Sequence, residues 1–312
     1  MLRSFLVVLA LTAPAAAQDF PVTVTDDRGQ SVTVAERPRN VAALSMAAAD
    51  MLAALGRPIL GVTSFQGAGP VYLGEASDGV LDLGEFDSPN LEILALSDAD
   101  LILGMTRYHA PYADEFEDIA PFIALDLFTL EDASRNIEQM GAALGAPQDA
   151  TALNIAFEQR ASQLREAAPG GVTVVFLWAF GEMLFAYHDN LLPAEFLPIL
   201  GATNPLGFQE GADPADAFKM METEEILAID PDVLIVYASH GGELQANPAF
   251  ARLSAVQNGR VYEVGQQYAQ ATGPIARRMV LEELAHLLYP DTFAPPADLP
   301  AASRAKQIEI VP

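Results

Sequence analysis

The sequence predicts an α/β protein: two similar α/β lobes with mainly parallel sheets, joined by one long α-helix, with a ligand cleft between the lobes. Short apolar strands alternate with helical stretches along most of the chain, and this alternation favours parallel sheets. One stretch, 150–168, contains no Gly or Pro. A similar sequence motif also occurs twice, as LEILALSDADLIL at 91–103 and as TEEILAIDPDVLI at 223–235. One copy lies on each side of the long helix, which indicates two pseudo-equivalent lobes rather than a solenoid.

The N-terminal half opens with PVTVTDDRGQSVTVAERP, an alternating pattern around Asp27-Arg28-Gly29 that predicts a β-hairpin. After the hairpin, short apolar runs predict strands and capped periodic segments predict helices. Strands are expected at 41–44, 59–62, 101–103 and 122–125, and helices at 46–55, 91–96, 112–119 and 130–144.

The long helix carries Leu153, Phe157 and Leu164 at helical spacing and is stopped by Pro169-Gly170-Gly171. Strand–helix alternation then restarts. Strands are expected at 172–177, 183–187, 233–237 and 260–264, helices at 191–200, 222–228 and 274–288, and irregular packing from Tyr289 onward. The predicted organisation is a signal peptide (1–17), an N-terminal lobe (18–147), a linking helix (148–169) and a C-terminal lobe (170–312).

The first residues, MLRSFLVVLALTAPAAAQ, have the pattern of a secretory signal: Arg3, an apolar run, then small residues before a cleavage site. We expect cleavage before Gln18 and a soluble exported protein in a periplasm. The apolar run is too short to span a bilayer, and no later segment in the sequence is long enough.

The composition argues against disorder and excludes several kinds of site and partner. The 312 residues are 51% hydrophobic and 19% charged, which indicates a globular chain with an ample core. There is no Cys, so disulfides, thiol nucleophiles and thiolate metal sites are excluded. The formal net charge of −26 argues against nucleic acid or an anionic membrane as a partner.

Three segments together resemble a known family: RPRNVAALSMAAADMLAALG, SPNLEILALSDADLILG and NPAFARLSAVQNGRVYEV. They are similar to the periplasmic substrate-binding proteins of ABC importers for ferric siderophores, haem and cobalamin. The N-terminal hairpin is most like the ferric-siderophore members. Asp50, Ala99 and Phe250 depart from the residues usual there.

The resemblance implies a stiff hinge with small opening motions and a function in binding rather than catalysis. It implies no cofactor, a ferric siderophore as the ligand, an inner-membrane ABC permease as the partner, and a monomer. It also implies that one carboxylate on each lobe docks onto the permease, and Glu92 and Glu224 match those positions. The alternative explanation for the two glutamates is a favourable placement of acids near helix N-termini.

Ligands of open α/β sheets bind beyond the carboxyl ends of the strands. The loops there are aromatic and sparsely basic, which suits a bulky chelate, because aromatic rings offer flat contact area and Arg offers fork-shaped donors. The predicted ligand-binding residues are Arg107, Tyr108, Tyr112, Trp178, Phe180, Tyr237, Tyr268 and Arg277. Trp178 is equally consistent with a core position. Since Arg277 and Arg278 point to different faces of a helix, at most one of them is expected to face the ligand.

His109 and His240 occupy nearly equivalent places in the two halves, either as polar loop residues or as contacts across the cleft. A zinc or manganese site would need several converging His and carboxylate ligands, and four His without an H-x-x-x-H spacing give it little support.

The sequence leaves alternatives open: a cobalamin or haem binder of the same family, an exported α/β hydrolase, or a scaffold. There is no G-x-S-x-G, G-x-G-x-x-G or H-E-x-x-H motif to favour an enzyme. The sequence does not name the siderophore class.

Overall fold

The computed structural model describes residues 19–180, 183–213, 216–238 and 247–310. The predicted signal peptide lies outside the described residues. The described chain forms two α/β lobes, each built on a six-stranded sheet, preceded by a two-stranded hairpin.

The strands of the hairpin are β1 (Val22–Thr25) and β2 (Ser31–Val34), and those of the N-terminal lobe are β3 (Val41–Ala43), β4 (Gly61–Ser64), β5 (Leu81–Glu85), β6 (Ser88–Pro89), β7 (Leu101–Met105) and β8 (Phe122–Leu125). The sheet of the lobe has the strand order β6-β5-β4-β3-β7-β8. Its strand pairings are parallel except that between β5 and β6, which is antiparallel. The helices are α1 (Met46–Ala54), α2 (Leu91–Ala95), α3 (Thr106–His109), α4 (Ala113–Glu117) and α5 (Leu130–Ala143), with 3-10 turns at Val71–Ser77 and Ala110–Tyr112.

Side-chain caps start the N-terminal helices where the sequence indicates. The Ser45 side chain accepts a hydrogen bond from the backbone N–H of Ala48 at the start of α1. Thr129 and Asp132 form a reciprocal capping box at the start of α5. These bonds satisfy N–H groups that have no partner within the helix, so they fix where each helix begins.

One long helix, α6 (Pro147–Ala167), links the lobes and begins one residue before the predicted boundary. Pro147 occupies the first turn, where the missing N–H costs nothing. Phe157, Ala161 and Leu164 of α6 are buried in the core of the C-terminal lobe.

The strands of the C-terminal lobe are β9 (Val174–Phe180), β10 (Met183–Tyr187), β11 (Phe218–Met221), β12 (Val233–Ala238), β13 (Val261–Glu263) and β14 (Lys306–Gln307). They form a sheet ordered β11-β10-β9-β12-β13-β14, with the three parallel strands β9, β12 and β13 side by side. The helices are α7 (Thr223–Ile229), α8 (Ser254–Gln257) and α9 (Pro274–Leu288), with 3-10 turns at Ala194–Phe196, Pro198–Leu200, Pro248–Arg252, Gln266–Tyr268 and Ala301–Ser303.

Two predictions of secondary structure were wrong. The helix expected at 191–200 is replaced by two 3-10 turns, because Pro193 and Pro198 interrupt the helical hydrogen bonds. The C-terminal tail is not wholly irregular, since β14 pairs antiparallel with β13. Ile308 and Ile310 then bury their side chains in the core of the lobe.

The repeated motif has a structural explanation, because an Asp in each copy makes the same kind of contact. Asp100, just before β7, accepts hydrogen bonds from the backbone N–H groups of Arg39 (2.8 Å) and Asn40 (3.0 Å) before β3. Asp232, just before β12, accepts from the backbone N–H (2.8 Å) and the hydroxyl (2.7 Å) of Thr173 before β9. In each lobe the Asp therefore ties together the amino ends of two adjacent parallel strands.

Candidate functional site

A cavity of about 120 Å³ lies between the lobes, beyond the carboxyl ends of the parallel strands. This is where ligands of open α/β sheets bind. In the described part of the chain its lining consists of apolar, aromatic and uncharged polar side chains. These are Phe65, Phe86, Met105, Tyr108, Leu127, Phe128, Trp178, Tyr187, Leu191, Leu192, Phe218, Tyr237, Ala269, Gln270, Ala271 and Thr272.

The wall from the N-terminal lobe is a row of rings, each placed just after a strand. Phe65 follows β4, Phe86 follows β5, and Tyr108 lies in the short helix after β7. The ring centroids of Phe65 and Phe86 are 4.9 Å apart, and those of Phe86 and Tyr108 are 5.0 Å apart in an edge-to-face arrangement. These are favourable aromatic geometries, so the rings hold one another in place.

The wall from the C-terminal lobe stands on one face of its sheet. Trp178 on β9 is the register partner of Tyr237 on β12, and its ring lies 6.1 Å from that of Phe218 on β11. Phe218 also contacts Tyr187 edge-to-face at 4.8 Å. Because partners in register point to the same face, these four rings form one surface.

Polar groups enter the cavity at a few points. The Tyr237 hydroxyl donates across the lobes to the Gln66 side-chain oxygen (3.4 Å), and burial raises the pKa of Tyr237, so the phenol stays neutral. Gln270 accepts from the backbone N–H of Met46 through Oε1 (3.0 Å). The Thr272 hydroxyl is buried and has no hydrogen-bond partner among the described residues. A buried unpartnered hydroxyl is uncommon, and a bound ligand would give it a partner.

The lobes are closed around the cavity. Gln266 of the C-terminal lobe donates to the backbone carbonyls of Phe65 (3.1 Å) and Ala68 (2.8 Å) of the other lobe. Typical ligand pockets are roughly 300–1,000 Å³. A cavity of about 120 Å³ is smaller, so a bulky ligand requires the lobes to separate.

An adjoining groove of about 480 Å³ shares Phe128 with the cavity and is lined by several charged side chains. Arg107 reaches across the lobes and forms a 2.7 Å ion pair with Asp216. Arg135 is held by Asp27 (2.9 Å) and Asp132 (2.7 Å). The groove is lined by Thr106, Arg107, Asp126, Phe128, Thr129, Glu131, Asp132, Arg135 and Asp213.

Comparison with known proteins identifies the family. The family model described as "Periplasmic binding protein" matches residues 41–268, which is more than half of the chain. This chain belongs to the periplasmic binding protein family. The match spans both lobes and the linking helix, and it gives no support to the hydrolase alternative.

Relatives within the periplasmic binding protein family match about four-fifths of this chain at low identity. The putative ABC transporter substrate-binding lipoprotein YhfQ of Bacillus subtilis is 27% identical over 80% of this chain and 82% of the relative. The Fe(3+)-citrate-binding protein YfmC of Bacillus subtilis is 23% identical over 77% of each chain. The solved structure of the triscatecholate siderophore binding protein FeuA from Bacillus subtilis superposes with a TM-score of 0.73 at 16% identity, covering 86% of this chain and 98% of FeuA. That superposition shows the two-lobed fold shared by this periplasmic binding protein.

The structure brings three of the predicted ligand-binding residues together at the cavity: Tyr108, Trp178 and Tyr237. Arg107 lies in the adjoining groove. Tyr112 and Phe180 do not line the cavity and are 53% and 47% exposed. Phe180 ends β9 two residues after Trp178, so it continues the same face of the sheet away from the cavity.

Tyr268 and Arg277 also lie away from the cavity lining of this periplasmic binding protein. The buried Tyr268 hydroxyl donates to Glu283 (3.0 Å) within the C-terminal core. Arg277 is fully buried, donates to the Asn154 side chain (2.7 Å) and stacks 4.3 Å from the centre of the Phe157 ring. Arg277 therefore joins α9 to the linking helix. Burial lowers its pKa to about 10, which leaves it charged at neutral pH.

His109 is buried in the N-terminal lobe and does not line the cavity. Its Nδ1 accepts from the backbone N–H of Met105 (2.8 Å), and Nε2–H donates to the Phe86 carbonyl (2.7 Å). Burial lowers the pKa of His109 to about 4, so the imidazole is neutral. His109 thus fixes the loop that carries Phe86. His240 lies outside the described residues.

Sequence reasoning missed Phe65, Phe86, Phe128 and Phe218 as cavity residues. Phe65 follows a predicted strand, so its position could have indicated that it lies at the cavity. Phe86 directly follows β5, and Phe218 is the first residue of β11. Neither strand has the continuous apolar run from which the other strands were predicted.

Glu92 and Glu224 are exposed in the first turns of α2 and α7. Among the described residues, no group of three or more His, Asp or Glu is placed to hold a metal ion. No helix in the same part of the chain is long and apolar enough to cross a bilayer.

Proposed function

We propose that this protein captures a ferric siderophore in the periplasm and delivers it to an inner-membrane ABC permease. The observation that carries the proposal is the closed, aromatic cavity between the strand ends of two lobes in a periplasmic binding protein. A relative named for binding Fe(3+)-citrate and another named as an ABC transporter substrate-binding lipoprotein support the ligand class and the transport system.

The side chains that line the cavity explain how it would bind the ligand. Rings from both lobes, such as Tyr108, Trp178 and Tyr237, contact the organic shell of the chelate, and burying them supplies the main driving force. The Thr272 hydroxyl and the Gln270 amide supply a few directional hydrogen bonds. Iron arrives with its own ligands, so the protein needs to recognise the chelate and not the bare ion.

Entry requires the lobes to part at the cavity while the linking helix keeps them joined. The contacts that must break include the Arg107–Asp216 ion pair and the hydrogen bonds that Tyr237 and Gln266 make to the N-terminal lobe. Exposed ion pairs contribute only about 0–1 kcal/mol, so the Arg107–Asp216 pair opposes opening only weakly.

Delivery would use the matched glutamates. Glu92 and Glu224 are exposed, one on each lobe, at corresponding helix starts. The linking helix fixes the spacing of the lobes, so the two carboxylates can present a two-point contact to basic residues of the permease.

Thermal unfolding tests the proposed function. We expect a ferric siderophore to stabilise the protein by about 2.7 kcal/mol at one hundred times its dissociation constant, while the iron-free siderophore has a smaller effect. The panel should include haem and cobalamin. Stabilisation by either of these, with none by any ferric chelate, would overturn the substrate assignment.

A further inference from the structure

The charge of the ligand can be inferred from where this protein places its cations. This inference rests on the proposed function, that the ligand is a ferric chelate. In the described part of the chain the cavity lining contains no Asp, Glu, Lys, Arg or His. The internal stretches outside the description, 181–182, 214–215 and 239–246, contain no Lys or Arg in the sequence. The one basic residue in these stretches is His240.

Both Arg residues that line the adjoining groove are already paired with carboxylates. Arg107 is paired with Asp216 at 2.7 Å. Arg135 donates to both carboxylate oxygens of Asp27 (2.9 and 3.0 Å) and to Asp132 (2.7 Å). An anionic ligand would compete with these carboxylates for the same donors.

The surroundings of these arginines are acidic. Besides Asp132, the groove next to the cavity is lined by Asp126, Glu131 and Asp213. Burial raises the pKa of Asp126, as expected for a carboxyl in a poorly solvated, acid-rich place. The whole chain carries a formal charge of −26, which adds long-range repulsion of anions.

An aromatic cavity without a cation is unfavourable for an anion for two reasons. A charge that leaves water without a partner loses its hydration free energy. The faces of aromatic rings also carry partial negative charge, which attracts cations and repels anions. Phe65, Phe86, Trp178 and Phe218 present such rings to the cavity.

We propose that the cavity selects a ferric chelate without net negative charge, of the tris(hydroxamate) class. Three hydroxamates each carry one negative charge and balance ferric iron, so the complex is neutral. Three catecholates leave a triple negative charge, and ferric citrate is also anionic. The carbonyl and N–O oxygens around the iron of a hydroxamate complex can accept hydrogen bonds from Thr272 and Gln270, while its methylene arms contact the rings.

A matched pair of ligands tests the charge preference directly. Ferric desferrioxamine B acylated at its terminal amine with an acetyl group is neutral, and the same complex acylated with a succinyl group carries one negative charge. We expect the neutral complex to bind at least about tenfold more tightly, equivalent to ~1.4 kcal/mol. Its affinity should also be nearly independent of salt concentration, since no charge on the ligand is screened.

A pair of variants tests whether the acids near the cavity cause the preference. Asp216→Asn releases Arg107 at an exposed site and also removes a contact between the lobes. We therefore expect the affinity of the succinyl complex, relative to that of the acetyl complex, to rise. Asp298→Asn is the matched control, because it removes the same charge from an exposed ion pair with Arg278 that does not line the cavity or the groove. The control should leave both affinities unchanged.

The outcomes separate the two proposals. If the succinyl complex, a ferric tris(catecholate) or ferric citrate binds as tightly as the neutral complex or more tightly, the charge preference is wrong while the ferric-chelate function stands. If no ferric chelate binds at all, the proposed function fails and the charge preference fails with it.

Discussion

The carboxylate of Asp50, in α1 of the N-terminal lobe, accepts a 2.7 Å hydrogen bond from the backbone N–H of Ala276, in the first turn of α9 of the C-terminal lobe. Its other oxygen accepts from Ile275 at 2.7 Å. Gly273, at the N-cap of α9, has no side chain that could make these bonds, and a Cβ there would lie 2.3 Å from Cγ of Asp50. One lobe thus caps a helix of the other and holds the two together behind the cavity.

Removal of this cap should destabilise the protein. Asp50→Ala leaves two buried N–H groups without partners, and we expect a loss of about 2–4 kcal/mol in the free energy of unfolding. Asp50→Asn keeps one acceptor oxygen and should lose less. Urea denaturation measures both, and an Asp50→Ala protein as stable as the parent would show that the cap contributes little.

Asp50 should also make stability depend on pH. Burial raises its pKa from 3.8 to about 7, against the opposing effects of the Ile275 and Ala276 N–H groups, Tyr72 and Arg277. The folded state then binds more protons than the unfolded state between these values, so the contribution of Asp50 to stability decreases as pH rises from about 4 to 7 and is constant above that.

The measurement is the difference in unfolding free energy between the parent and Asp50→Asn across that pH range. Other titrating groups cancel in the difference, so the advantage of the parent should shrink toward neutral pH. A difference that is constant from pH 4 to 7, or that grows, would contradict the raised pKa.

Thr272→Val tests whether the unpartnered Thr272 hydroxyl forms a hydrogen bond with the ligand. Val has nearly the same shape, and removal of a buried hydroxyl without a partner should leave the melting temperature unchanged or slightly higher. Affinity for the ferric chelate should fall by about 0.5–1.5 kcal/mol, since the ligand loses a hydrogen bond. Unchanged affinity in a calorimetric titration would show that Thr272 does not contact the ligand.

The double change Glu92→Ala/Glu224→Ala should impair transport and not binding. Both side chains are exposed and remote from the cavity lining, so ligand affinity and melting temperature should stay near those of the parent. Uptake by cells that carry the cognate permease should fall sharply, because paired charges steer association and orientation. Glu36→Ala/Glu309→Ala removes two exposed charges at other places and is the control. Normal uptake by the Glu92→Ala/Glu224→Ala variant would show that the two glutamates do not dock onto the permease, which leaves favourable placement near helix N-termini as their explanation.

The alternation of strands and helices was readable from the sequence because each buried parallel strand is a short apolar run between capped helices. Aromatic residues near the carboxyl ends of such strands were also readable, and two of them, Trp178 and Tyr237, line the cavity. The partners of buried polar groups were not readable. Asp50 meets Ala276 across 226 positions, and Arg277 meets Asn154 across 123. Helical periodicity shows which face of a helix is buried, but not which element covers it, so the contacts of Arg277 with the linking helix could not be read from the sequence.

The fluorescence of Trp178 reports directly on whether a ferric chelate occupies the cavity. It is the only Trp in the sequence, and it lines the cavity between the lobes. Titration with a neutral ferric trihydroxamate should quench this emission saturably at one ligand per protein, and the same additions to protein unfolded in urea should give only the linear loss caused by absorption of light. Linear loss in both samples, or saturable quenching by haem or cobalamin but by no ferric chelate, would contradict the account.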